Sequence, residues 1–371
     1  MGANRPGRTH ERAMTAIDRA VVLLGTPIDD VTMSEAVDRI AEMVATGRMA
    51  RRVHQVATIN VDFVINGTQD PDLLEILQHT DLAIPDGMGV VWGARLAGVP
   101  IRERTSGVDL VPALVARAAV EGWRVCMFGA AGGVAERAAE LLRATHTNAD
   151  VVGLAAPAVG ADGSMDAGTV DSIRAFDADV VAVALGNPKQ ERWIARHGMA
   201  VGAPVFIGIG GTLDFLTGVT QRAPGWVQRS GLEWVHRALS EPRRLAGRYA
   251  KDIIVYGPGL VRQAWRGRPR GPAFTPIVTD RQDVRTVRLR GRTSADVLLA
   301  AAGDANDVRA DVTALDHLDN STLAALVTLL RTTRRRGSGI KVLGISPSLD
   351  ASARRLRSES LLRSPESRVA R

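Results

Sequence analysis

From about Thr32 to Ala223, short β-rich runs alternate with longer stretches of helical periodicity, and this alternation narrows the fold more than any other feature of the chain. Val53 to Asn60, Leu82 to Ile84, Arg124 to Gly129, Asp150 to Leu154, Val180 to Leu185 and Pro204 to Ile209 read as strands. Pro71 to Thr80, Leu110 to Glu121 and Val134 to Thr145 read as amphipathic helices between them. The pattern predicts an α/β domain with a mainly parallel sheet, whose ligands sit at the C-terminal ends of the strands.

At 371 residues the chain has material for a second domain. Asp214 to Tyr256 breaks the alternation: glycine and proline punctuate it, and Arg222, Arg229, Arg237, Arg243, Arg244 and Arg248 outnumber Glu233 and Glu241. Arg237, Arg244 and Arg248 recur at helical offsets, and Trp226, Trp234 and Trp265 lie nearby, a composition suited to anionic lipid headgroups. A proline- and glycine-rich stretch then reads as a linker. The expected organisation is an α/β domain over 22–221, a basic membrane-proximal appendage over 222–266, a linker over 267–283 and a small α/β domain over 284–362. In that last domain, strands are expected near Val284 to Leu289, Val308 to Val312 and Ile340 to Leu343, with helices from about Ser321 to Arg336 and near Leu349 to Leu362.

Composition removes several classes. The single Cys126 cannot form an internal disulfide or a multi-cysteine metal site, and the seven histidines occur singly with no HxH or HExxH pattern. The net charge of +7 is accompanied by no recognised nucleic-acid module, so no nucleic-acid partner is expected. The apolar runs are too short to span a bilayer, and the first 20 residues are polar. A cytoplasmic protein that touches the membrane from one face follows from these features.

The strand ends carry the chemistry. Asp86 precedes Gly87 where a strand gives way to a helix, a position open to two readings, a general base or a helix cap. Arg104, in RERTSGVDL, reads equally as a phosphate clamp or as a solvated charge. Phe128 to Gly133 offers backbone N–H groups to a diphosphate or is a plain turn; it has neither the dinucleotide fingerprint nor an ATP-loop ending. Asn187, Lys189, Gln190 and Glu191 cluster after the strand VVAVAL, and the glycines of FIGIGGTLDF permit a close approach of backbone to ligand.

TINVDF (58–63), DLAIPDGMGVVWGARLAG (81–98), ERTSGVDL (103–110), LGNPKQERWI (185–194) and the run RAPGWVQRSGLEWVHRALSEPRRLAGRY (222–249) together resemble the WecG/TagA/CpsF family of bacterial glycosyltransferases over about residues 22–256. The resemblance implies a Rossmann-like domain that moves a sugar from a UDP-sugar to a polyprenyl-diphosphate-linked acceptor with inversion, during synthesis of cell-surface polysaccharide. It makes Asp86 the general base. Thr58, Asn60, Arg104, Asn187, Gln190 and Glu191 become substrate contacts, and Arg237, Arg244 and Arg248 become contacts to the membrane or a diphosphate. With no DxD pattern at the strand ends, no metal and no cofactor are expected. VRADVTALDHLDNSTLAALVTLLRTTRRRGSGIKVLG (308–344) resembles a STAS domain, which implies a protein partner; the phosphorylatable serine of its regulatory members is replaced here by Asn320. The competing expectation is a regulatory or scaffold protein whose α/β domain is catalytically idle.

Overall fold

The computed structural model describes residues 19–221, 223, 224, 227, 252–281, 284–337 and 339–362. A hairpin of β1 (Ala20–Leu23) and β2 (Thr26–Asp29) leads into α1 (Met33–Ala50). The main domain continues with β3 (His54–Ile59), α2 (Val61–Gln69), α3 (Pro71–His79), β4 (Leu82–Pro85), α4 (Met88–Leu96), α5 (Gly107–Glu121), β5 (Arg124–Gly129) and α6 (Val134–Thr145). It closes with β6 (Asp150–Leu154), α7 (Ala167–Phe176), β7 (Val180–Ala184), α8 (Lys189–Val201), β8 (Val205–Gly208) and α9 (Thr212–Leu216). The six strands β3 to β8 form one parallel sheet in the order β4-β3-β8-β7-β5-β6.

Helices cover both faces of that sheet, which explains why its strands read as nearly continuous apolar runs. Along β7, Val180, Ala182 and Ala184 join one core cluster while Val181 and Val183 join another on the opposite face. Cys126 lies wholly buried on β5, and burial pushes its thiol up to about 12, so it is an inert core residue.

Local chemistry sets the helix ends. Thr32 and Glu35 form a capping box at α1, and Asp70 caps α3 ahead of Pro71. The sequence reading missed the β1–β2 hairpin and α2. Both are short, and Asn60, which terminates the strand reading, is itself the N-cap of α2.

Beyond the main sheet, a π-helical turn at Asp252–Tyr256 runs into α10 (Gly257–Arg266). The smaller domain follows: β9 (Ile277–Arg281), β10 (Val284–Arg288), α11 (Ala295–Ala302), β11 (Asp307–Asp311), α12 (Asn320–Arg335), β12 (Gly339–Leu343), α13 (Pro347–Arg355) and α14 (Glu359–Leu362). Its sheet order is β12-β11-β10-β9, with β9 antiparallel and the other pairs parallel. Residues 277–281, read from sequence as linker, thus form an edge strand, because backbone pairing with β10 outweighs a proline-rich flank. One expected terminal helix is two, α13 and α14.

The two domains share a core. Ala20 and Val22 of β1 pack in the same apolar cluster as Leu298, Leu323, Leu326 and Val327 of the smaller domain. The Ala20 N–H donates to Thr328 Oγ1 (2.8 Å). Asp29, at the end of β2, accepts from Arg331 (2.7 and 3.1 Å), from Arg335 (3.0 Å) and from the Ala83 N–H of edge strand β4 (2.7 Å). The hairpin is therefore a wedge between the main sheet and α12.

Candidate active site

The six parallel strands end along one edge of the sheet, and their connections diverge between β7, which leads to β8, and β5, which leads to β6; open α/β sheets bind ligands along such an edge. The residues picked out by sequence reading gather along this edge. Asp86 follows β4, and its N–H donates to Ile59 O (2.8 Å), which brings it beside Asn60 at the end of β3. The Thr105 N–H donates to Pro85 O (2.8 Å), which draws the half-buried Arg104 against the same turn. Three backbone segments therefore meet at the half-buried residue Asp86.

Asp86 is not the cap of α4. Gly87 occupies the N-cap position at φ 97°, a left-handed conformation open to glycine, and itself offers no side chain to cap that helix. Glycine also sets how closely α4 approaches its neighbours. A Cβ on Gly89 would stand 2.4 Å from Val61 Cγ2, and one on Gly93 would stand 2.3 Å from the Tyr256 hydroxyl. The Tyr256 hydroxyl donates to Gly89 O (3.1 Å) and so ties the π-helical turn at Asp252–Tyr256 to the helix that begins at the Asp86 turn.

The second half of the edge is a closed circuit of polar contacts. Asn66 Nδ2, on α2, donates to Asn187 Oδ1 (2.7 Å) in the loop after β7. Asn187 Nδ2 donates to Glu191 Oε2 (2.9 Å), and Gln190 Nε2 donates to Glu191 Oε1 (2.7 Å). Gln190 Oε1 accepts the Gly210 N–H (3.0 Å), and the Thr58 hydroxyl donates to Gly208 O (2.8 Å), which returns the circuit to β3. Asn60 holds the other end of α2 by accepting the Asp62 N–H (3.0 Å). Thr58, Gln190 and Glu191 are buried, while Asn60 and Asn187 are partly exposed. A Cβ on Gly208 would lie 2.6 Å from Gln190 Nε2, so Gly208→Ala is expected to displace the amide and to lower turnover of a reaction at this site by about 10²-fold, read by steady-state kinetics.

Burial pushes the Glu191 carboxyl up to about 7, against hydrogen bonds from Gln190 and Asn187 that favour its ionised form. The folded protein therefore retains a proton that the unfolded chain has lost, and this group's stabilisation is full below about pH 4.5 and disappears as pH rises through about 7. Glu191→Gln is expected to flatten that part of the pH profile, measured as urea midpoints at about pH 5 and about pH 8. An unchanged slope would remove Glu191 as its source.

Other sequence candidates separate from this cluster. Arg102 is bound to Asp30 and Glu35, so it is a structural clamp on the start of α1. The glycine-rich turn after β5, by contrast, lies against the end of β7, where the Ala130 N–H donates to Ala184 O (2.8 Å), and it starts α6 at Gly133, φ 80°. Arg237, Arg244 and Arg248 lie outside the described residues. Asn66 and Tyr256 were missed from sequence; an amide inside the apolar run FVINGT is the only local signal that pointed to Asn66. Among the described residues, no group of three or more His, Cys, Asp or Glu is placed to hold a metal ion, and no helix is long and apolar enough to cross a membrane.

At the strand ends of this α/β domain, half-buried Asp86 and Arg104 and an amide-rich loop after β7 form the polar edge at which open α/β sheets bind ligands. Residues 21–270 match the model of the glycosyl transferase WecG/TagA/CpsF family, and the chain belongs to that family. It is 32% identical over 191 residues, covering 51% of this chain and 72% of the relative, to an N-acetylglucosaminyldiphosphoundecaprenol N-acetyl-beta-D-mannosaminyltransferase of Bacillus spizizenii. A protein of the same name from Staphylococcus aureus strain MW2 is 29% identical over 246 residues, covering 66% of this chain and 93% of that relative.

Proposed function

We propose that the protein is an inverting glycosyltransferase that moves a sugar from a UDP-sugar to a polyprenyl-diphosphate-linked saccharide at the inner face of the cytoplasmic membrane. The observation that carries this reading is the meeting of Asp86, Asn60 and Arg104 at adjoining strand ends in a chain whose relatives act on a diphosphoundecaprenol acceptor. An Asp86 carboxylate oxygen takes the proton of the acceptor hydroxyl. The acceptor oxygen freed of its proton attacks the anomeric carbon from the face opposite the leaving group, and the bond from this carbon to the UDP oxygen breaks, releasing UDP. One aligned base is sufficient for inversion, with no covalent intermediate.

Charge growing on the departing diphosphate is met by Arg104 and by arginines of the basic segment, Arg237, Arg244 and Arg248, which also dock the enzyme to anionic headgroups. Asn60 and Asn187, partly exposed, contact substrate directly. Thr58, Gln190 and Glu191, whose polar atoms bond to one another and to the loop backbones, position Asn187 and the Gly210 turn. The strand ends Pro85 and Ala184 are three inter-strand spacings apart, roughly 14 Å, a span that a sugar nucleotide laid along the edge can bridge.

The smaller domain is read as a STAS-like docking module on the strength of its mixed four-stranded sheet and helix order. Asn320, at the position of the regulatory serine, is buried and donates to Ala97 O (3.0 Å), which speaks for a structural joint there instead of a phosphorylation switch. The test is UDP release from a panel of UDP-sugars with a short-chain polyprenyl-diphosphate-saccharide acceptor and an acceptor-free control. Acceptor-dependent release is the expected result; none across the panel, with folded protein, overturns the reading in favour of a non-catalytic scaffold.

A further inference from the structure

A cavity of about 280 Å³ opens between the end of α10 and the smaller domain, far along the chain from the strand-end cluster. Trp265, Arg266, Arg270, His317, Ser352 and Arg355 line it. Among the described residues, none of these three guanidinium groups forms an ion pair with a carboxylate. Three cations gathered on one concave surface without counter-charge repel one another, and an anion relieves that repulsion. The Asp319 carboxylate, whose field also reaches His317, is engaged in capping α12 through the Thr322 N–H (2.8 Å) and the Ser321 hydroxyl (2.6 Å).

His317 adds a feature that solvated surface arginines lack. Its Nε2 is buried and makes no hydrogen bond, although the Arg268 backbone is near. Its Nδ1 lies 3.2 Å from the Ser352 hydroxyl, which also accepts the Leu318 N–H (3.0 Å) and donates to Leu318 O (3.4 Å). Burial, with Arg270 and Arg355, lowers the His317 pKa, which favours the neutral ring. Arginine forks match phosphate oxygens bidentately, and the exposed Trp265 indole offers an apolar wall beside them.

We infer that this cavity binds a phosphate-type oxyanion, presented by a soluble phosphorylated molecule or by an anionic lipid headgroup, at a site separate from sugar transfer. The test follows the His317 ring resonance of the ¹⁵N-histidine-labelled full chain, identified by its loss in His317→Gln, so that occupancy of the strand-end site is not counted. Pyrophosphate is expected to shift this resonance. Arg270→Gln combined with Arg355→Gln should weaken that binding by about tenfold or more, with the circular dichroism spectrum and acceptor-dependent turnover unchanged.

In a parallel arm, wild type and double variant are sedimented with phosphatidylglycerol or phosphatidylcholine vesicles. A pyrophosphate shift assigns the soluble source. Stronger sedimentation of wild type than of the double variant, with phosphatidylglycerol alone, assigns the headgroup. A folded protein showing neither effect, or equal binding by wild type and double variant in both arms, overturns the site.

Discussion

Replacing Asp86 with Asn is expected to lower acceptor-dependent UDP release by about 10²- to 10⁴-fold, the range that general base catalysis contributes. Asn preserves the volume and hydrogen-bonding reach of the side chain but has no basic oxygen, so donor binding should survive while the chemical step fails. The measurement is kcat against KM for the donor, together with direct binding of UDP. A drop in kcat with binding retained identifies a proton acceptor; loss of both in parallel reassigns Asp86 to the turn that holds Arg104 and Asn60. Gly87 and the Thr105–Pro85 hydrogen bond shape this turn in the backbone, so the substitution leaves the local fold in place.

The second large effect lies away from the chemistry. Asp29 is 1% exposed and is paired with Arg331 and Arg335 of the smaller domain. Asp29→Ala leaves two guanidinium groups without their buried partner and is expected to cost about 3–5 kcal/mol of unfolding free energy, measured by urea denaturation followed by tryptophan fluorescence. Burial alone would raise the Asp29 carboxyl; Arg331, Arg335 and Arg39 overcome it and hold the group well below the usual carboxylate range.

A depressed folded-state pKa means that the stabilisation is complete above the unfolded value near 3.8 and is lost as pH falls below it, through the folded value. The wild type should therefore lose more stability than Asp29→Ala on acidification below about pH 4. Because Ala20 and Val22 belong to the smaller domain's core, the wild type should also unfold in one transition. Two well-separated transitions would show that the hairpin does not couple the domains.

That coupling changes how the smaller domain works as a module. Nearly all of α12 is buried, and its Thr328 and Arg331 are committed to the hairpin. A partner of the kind proposed for this domain would have to use its other surfaces, such as the exposed edge strand β9 or the cationic cavity at the junction.

Periodicity and strand-end composition determined the main sheet, its principal helices and the stretch of chain that carries Asp86, Arg104 and Asn187, because each of these signals is local. The run VVAVAL announces a strand covered on both faces, and DG after LAIP announces a turn into a helix. The tertiary structure decided what local signals cannot carry. It set Asn66 against Asn187, 121 residues away, and Asp29 against Arg331, 302 residues away. It turned Ile277–Arg281 from linker into strand, and it separated the half-buried Asp86 from the buried Gln190 and Glu191, which look equally polar in sequence. Burial and long-range pairing depend on which surfaces meet once the chain has closed, and no window of neighbouring residues contains that information.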